Sequence, residues 1–190
     1  MKKLWVIVLL SSIIILTIGC SKNFNTKQNN EITMLKQEDA LKIASEASSK
    51  FHTITVLGYG IPDCTFEEKE LVEINGDYYN NLCSTINTVE KLNAYLADVF
   101  TDKSIGSIID NYFFVIENGK ILKLNVDVSG GIEWYNAEII SLKQNGELAE
   151  VEFKVPLVIG EGGLYDNIKV TYKYIQNQGW RIDTSPYHLY

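Results

Sequence analysis

The chain has 190 residues, 46 % apolar and 22 % charged, the size and balance of one globular domain with short appendages. Its 17 basic and 24 acidic residues give a formal charge of −7, which excludes a coat for DNA or RNA and weakens attraction to an anionic membrane or wall polymer. Two histidines and three cysteines leave few ligands for a soft metal; no metal or cofactor is expected, and the composition favours a small acidic binding domain over an enzyme.

Lys2 and Lys3 precede an apolar run over residues 4–18, interrupted only by Ser11, Ser12 and Thr17. A helix of that length spans about 22 Å, too short for a ~30 Å hydrocarbon core, so residues 1–19 read as a secretory signal peptide. The ending Leu16-Thr17-Ile18-Gly19-Cys20 resembles a bacterial lipobox, in which a small residue precedes the cysteine that is lipidated and becomes the mature N-terminus. Cleavage there removes two of the 17 basic residues, so 15 face the same 24 acidic ones and the mature charge is −9. Residues 20–33 comprise Cys20 and a polar, Asn-rich stretch that cannot bury enough surface to fold, a flexible tether. One globular domain is expected over residues 34–190.

Residues 37–51 place Ala40, Leu41, Ala44, Ala47 and Phe51 on one helical face. The β-branched stretch 53–57 reads as a strand ending at Gly58-Tyr59-Gly60-Ile61-Pro62. Strands over 69–74 and 77–82 flank the hairpin signal Asn75-Gly76. Asn87 and Glu90 stand at capping-box spacing before a helix over 89–100, and a short helix over 103–109 turns Ile105, Ile108 and Ile109 inward. From residue 112 the pattern is β. Asn118-Gly119 separates 113–117 from 120–125, Asn145-Gly146 separates 134–143 from 147–155, and a polar turn joins 165–175 to 180–183. This order predicts an α+β domain with N-terminal helices packed on a curved antiparallel sheet, similar in pattern to cystatin-like or nuclear-transport-factor-two-like cones.

With Cys20 taken by lipid, Cys64 and Cys83 remain as a pair in an oxidising compartment. A disulfide closing about 20 residues and contributing roughly 3 kcal/mol is favoured over two free thiols. A catalytic thiol is weaker still, because neither cysteine has a histidine nearby in sequence. Gly160-Glu161-Gly162-Gly163 carries an acid and precedes a strand, so it reads as a loop and not a phosphate cradle. The acidic cluster Glu67, Glu68, Glu70, Glu73 and Asp77 reads as a solvated face; a glycosidase pair would need a separation of ~5 to 9 Å that spacing does not reveal. The most unusual segment is Asp127-Val128-Ser129-Gly130-Gly131-Ile132-Glu133-Trp134. It reads as a specified bend with Trp134 in the core, or as a rigid loop presenting Asp127 to a partner.

Four groups of residues carry a family resemblance: Tyr79-Asn80-Asn81-Leu82-Cys83-Ser84-Thr85-Ile86-Asn87-Thr88; Lys91-Leu92, Tyr95-Leu96 and Phe100-Thr101; Asn118-Gly119-Lys120 and Asp127 to Gly131 with Trp134 and Ala137; Val155-Pro156-Leu157 and Gly179-Trp180-Arg181-Ile182. In order and spacing, over residues 35–185, they resemble the DL-endopeptidase inhibitor (IseA) family of exported Gram-positive proteins. The resemblance implies a non-catalytic inhibitor of enzymes that cleave the D-Glu to diamino-acid bond of cell-wall peptides. It would work as a monomer, lipid-anchored on the outer face of the cytoplasmic membrane of a Gram-positive bacterium. Its partner would be a cell-wall endopeptidase whose groove it plugs with residues 129–131 and 160–166. The expected contacts are Asp127, Ser129, Gly130, Gly131, Glu161 and Asp166, with Trp134 shaping the loop. The alternative is a lipid-anchored, non-catalytic module whose cone of aromatic strands holds a small apolar or peptide ligand.

Overall fold

A computed structural model describes residues 32–66, 71–111, 113–126, 132–157 and 163–189. The chain first runs to a long helix, α1 (Gln37–Thr55), which buries Ala40, Ala44, Ala47, Phe51 and Ile54 along one stripe. The residues expected to start a strand, Thr53 to Thr55, instead complete this helix. Burial of Ile54 and Thr55 outweighs the modest helix penalty of β-branched residues. Both threonine hydroxyls bond back to helix carbonyls, Thr53 to Ser49 at 3.0 Å and Thr55 to His52 at 2.7 Å. Leu57 and Gly58 then enter left-handed backbone, with φ of 64° and 89°, and stop the helix.

Two short helices follow the first hairpin, α2 (Val89–Leu96) and α3 (Asp102–Ile109). The N-cap of α2 is Thr88, whose hydroxyl accepts from the Lys91 amide at 3.3 Å; Asn87, the expected cap, instead gives its carbonyl to the Ile121 amide at 2.9 Å. Thr101 caps α3 in the same way through the Ser104 amide.

Among the described residues eight strands form two antiparallel sheets of four, where the hydropathy pattern predicts a single meander. The first contains β1 (Val72–Ile74), β2 (Asp77–Asn81), β3 (Phe114–Glu117) and β4 (Lys120–Leu124), in the order β1-β2-β4-β3. The second is a true meander of β5 (Glu138–Asn145), β6 (Leu148–Pro156), β7 (Tyr165–Ile175) and β8 (Gly179–Ile182). Every expected hairpin is present. What alternation does not encode is which strands share a ladder, and β2 pairs with β4 across both short helices. The second sheet is curled, and a register shift between Ile139 and Ser141 adds bend to its edge. The architecture is α+β with a curved sheet, as the element order predicts.

The concave face of the second sheet is filled. Ala149, Val151, Phe153 and Val155 from β6 alternate inward with Ile168, Val170 and Tyr172 from β7 and Ile182 from β8, all buried. α1 lies against this layer, and the Tyr172 hydroxyl donates to the Ala40 carbonyl at 2.8 Å. The α2–α3 connection extends the sheet beyond β8, with Phe100 bridged in parallel to Ile182 and the Thr101 amide donating to the Ile182 carbonyl at 2.9 Å. Because side chains occupy the interior, the cone expected to hold an apolar ligand has no room for one on this face.

Candidate functional site

Two glycine-rich segments stand out in the sequence, 127–131 and 158–163. Asp127, Ser129, Gly130, Gly131 and Glu161 lie outside the described residues, as do Cys20, Glu67, Glu68 and Glu70. The described flanks of the two segments meet. Ile132, just after the first, forms an antiparallel bridge with Leu157, just before the second. The Glu133 amide donates to the Pro156 carbonyl at 2.9 Å, and the Leu157 amide donates to the Leu164 carbonyl at 2.9 Å. The chain therefore rejoins the fold after the first segment, and leaves it for the second, at the Pro156 end of β6. Ile132 and Leu157, 25 apart in sequence, are brought together because β5 and β6 pair up to Glu138 and Lys154.

Trp134 is 3 % exposed and sits in a single 3-10 turn (Trp134–Asn136), where a strand was expected to open. Its indole N–H donates to the Leu189 carbonyl at 2.8 Å and its ring meets Phe153 edge-on at 5.2 Å. It thus anchors the return of the first segment from below. Asp166 is exposed on β7 opposite Val155, two residues beyond Leu164. Around this end the surface is unusually apolar: Tyr135 is 75 %, Leu164 60 % and Tyr165 52 % exposed. Lys154 covers the Tyr165 ring at 4.0 Å from its centroid. Aromatic groups beside acidic ones suit a protein-binding surface.

Beside the same turn a cleft of about 260 Å³ lies between α1 and Ile132, Trp134 and Tyr135. Ser45, Ser48, Ser49 and His52 line it at helical spacing, and no carboxylate is among its described lining residues. Among the described residues there is no cluster of three or more potential metal ligands, and no helix long and apolar enough to cross a membrane. Of the acidic cluster, Glu73 and Asp77 occupy the first hairpin opposite Tyr78 and Ile74.

Cys64 and Cys83 form a disulfide with their Cα atoms 5.6 Å apart, which removes both as nucleophiles. Thr85, whose hydroxyl lies 2.8 Å from Cys64 Sγ and 3.3 Å from Cys83 Sγ, is the donor, since bonded sulfurs carry no proton.

The residue that sequence reasoning missed is Lys123. It lies on β4 and is 4 % exposed, and its ammonium donates to the carbonyls of Leu124 at 3.0 Å and Val126 at 2.8 Å. The signal was present in the strand's alternation, because Lys123 shares the inward face of Ile121.

No curated protein is similar enough to the chain to count as a relative. The family profile described as IseA DL-endopeptidase inhibitor matches residues 31–186, nearly the whole of the described structure. Inhibition is a non-catalytic role, so the chain is not an enzyme, and the family implies a protein partner, a DL-endopeptidase. With that profile spanning residues 31–186, the chain belongs to the IseA DL-endopeptidase inhibitor family.

Proposed function

We propose that the chain is exported, lipidated at Cys20 and held as a monomer on the outer face of the membrane of a Gram-positive bacterium, where it docks over the active-site groove of a wall DL-endopeptidase. Segments 129–131 and 160–166 enter the groove, with Asp127, Ser129, Gly130, Gly131, Glu161 and Asp166 in contact. Trp134 supports them from within the domain. The observation that carries this reading is the bridge between Ile132 and Leu157, which roots both segments at one edge. Tyr135, Leu164 and Tyr165 supply apolar area around that edge, of the kind that dominates binding energy in protein interfaces. A net charge of −9 after cleavage steers the domain toward a basic groove, so association slows as salt rises.

The tether leaves from the opposite end of the second sheet. Thr33 is held by the Trp180 indole at 2.9 Å, and the Leu35 amide donates to the Gln144 side chain at 2.9 Å. From the row of Gln144 and Ala149 to Leu157 is roughly 25 Å along β6. That separation sets the described start of the domain apart from the proposed docking edge.

The test is inhibition of a wall DL-endopeptidase, assayed on a D-glutamyl–diamino-acid reporter peptide, by the domain lacking residues 1–20. Asp127→Lys should raise the inhibition constant at least tenfold and leave thermal stability unchanged. Absence of inhibition by the unaltered domain at micromolar concentration defeats the reading. In cells, Cys20→Ala should release the protein to the medium; retention on the membrane defeats the anchor.

A further inference from the structure

Lysine is among the residues least often found fully buried, because a desolvated ammonium is unfavourable unless its donors are satisfied. Lys123 is nonetheless buried, in the middle of the first sheet, between Asn80 of β2 and Phe114 of β3. Its ammonium donates to main-chain carbonyls at the end of its own strand. Leu124 and Val126 each accept from it, at 3.0 and 2.8 Å. The Val126 amide also donates to the Leu124 carbonyl at 2.8 Å, so residues 124–126 form a three-residue turn. Tyr78 accepts from the Asn125 amide at 2.7 Å, and the Asn80 side-chain amide donates to Asn125 Oδ1 at 2.9 Å. The ammonium thus closes from beneath a turn that β2 holds from the side. At this turn the chain quits the first sheet, Val126 is exposed, and the next residue is Asp127.

We infer that Lys123 is a positioning residue of the inhibitor: its buried ammonium holds in one conformation the Leu124–Val126 turn, the last before the proposed contact Asp127. Affinity gained this way comes from ordering the turn before the partner arrives, which leaves less freedom to lose on binding. An apolar residue of the same length would fill the same space and sustain the sheet. What it would forfeit is the shared donor to two carbonyls. The role rests on the docking reading above.

The experiment compares Lys123→Met, Lys123→Arg, Asn125→Ala and Ile168→Val in the domain lacking residues 1–20, by inhibition constant, thermal midpoint and amide hydrogen exchange. Methionine removes the ammonium at nearly constant volume, and arginine restores a cationic donor. Ile168→Val is a core destabilisation far from the turn. Lys123→Met should accelerate exchange at the Asn125 and Val126 amides at least tenfold, leave α1 protected and raise the inhibition constant at least tenfold. Lys123→Arg should recover part of both. Asn125→Ala loosens the same turn from the exposed side, should move both readouts in the same direction, and decides the matter if Lys123→Met fails to fold. Unchanged exchange at Asn125 and Val126 overturns the inference. So does faster exchange with an unchanged inhibition constant, or an equal loss of inhibition in Ile168→Val. An Asp127→Lys variant that inhibits normally refutes the docking reading instead, and the exchange data alone then report whether the ammonium holds the turn.

Discussion

Reducing the Cys64–Cys83 bond should destabilise the domain by an amount that its position in the fold allows one to work out. The two residues are 19 apart, so the bond closes about 20 residues, and the chain-entropy estimate for such a loop is about 3 kcal/mol at 25 °C. A folded unit of roughly 160 residues unfolds with an entropy near 0.3 kcal/mol/K, so that loss lowers the melting temperature by about 10 °C. The native loop should largely survive. The Cys83 amide still donates to the Leu57 carbonyl at 3.0 Å, the Ser84 amide to Thr65 at 2.8 Å, and Thr65 and Ser84 share a hydroxyl bond at 2.9 Å. The effect therefore falls mainly on the unfolded chain, and far-UV circular dichroism at 20 °C should not change. The assay is thermal unfolding with and without a phosphine reductant, with mass spectrometry after alkylation to count free thiols. No label should enter the oxidised protein and two should enter the reduced one, in a domain that begins after Cys20. A midpoint shift below about 2 °C with both thiols labelled would refute the entropic argument, and labelling before reduction would refute the bond.

Gly58 and Gly60 both have positive φ, 89° and 92°, but they differ in surroundings. A Cβ on Gly58 would collide with Cys83 Sγ, which the disulfide prevents from moving, and would lie 3.0 Å from the Ile86 side chain; Gly60 has open space. In urea titrations Gly58→Ala should cost about 3 kcal/mol and Gly60→Ala only about 1 kcal/mol, so equal effects would contradict the geometry. Tyr172→Phe removes the bond to the Ala40 carbonyl and should cost about 1 kcal/mol. Burial pushes the Tyr172 phenol above its ordinary pKa. Its contribution is thus complete below about pH 10 and declines as pH rises beyond that, a decline that Tyr172→Phe should flatten in alkaline melting curves. For Asp183, burial pushes the carboxyl pKa up, but the Thr101 hydroxyl and the Lys103 ammonium together outweigh it and hold the value below the ordinary one. A depressed carboxylate contributes stability above about pH 4 that is lost as pH falls through its folded value. Asp183→Asn should accordingly melt with a shallower dependence on pH between about 4 and 2; an unchanged slope would assign the acid sensitivity elsewhere.

Most elements of the fold were legible because local signals are strong where the chain is regular. Alternation and three Asn-Gly pairs located the hairpins, helical spacing located the apolar stripe of α1, and the pairing of Cys64 with Cys83 was expected from cysteine arithmetic. Legibility failed where local and global preferences conflict. Thr53 and Thr55 favour a strand by themselves, yet the helix continues through them because Ile54 and Thr55 are buried beneath it. Asn87 has cap chemistry, but its carbonyl is needed by Ile121, so Thr88 caps instead.

For the candidate site the division is sharper. Residue order and spacing alone were enough to identify the family, because the motifs join turn residues such as Asn118-Gly119 to core residues such as Leu92, Leu96, Trp134 and Trp180, and both kinds of position constrain residue type. That Ile132 meets Leu157, that Thr33 and Leu35 are held at the far end of the second sheet, and that a lysine lies buried under the turn before Asp127 are consequences of long-range pairing. Such contacts depend on which strands find each other during folding, a choice made by the burial of whole faces and not written in any short stretch of the chain.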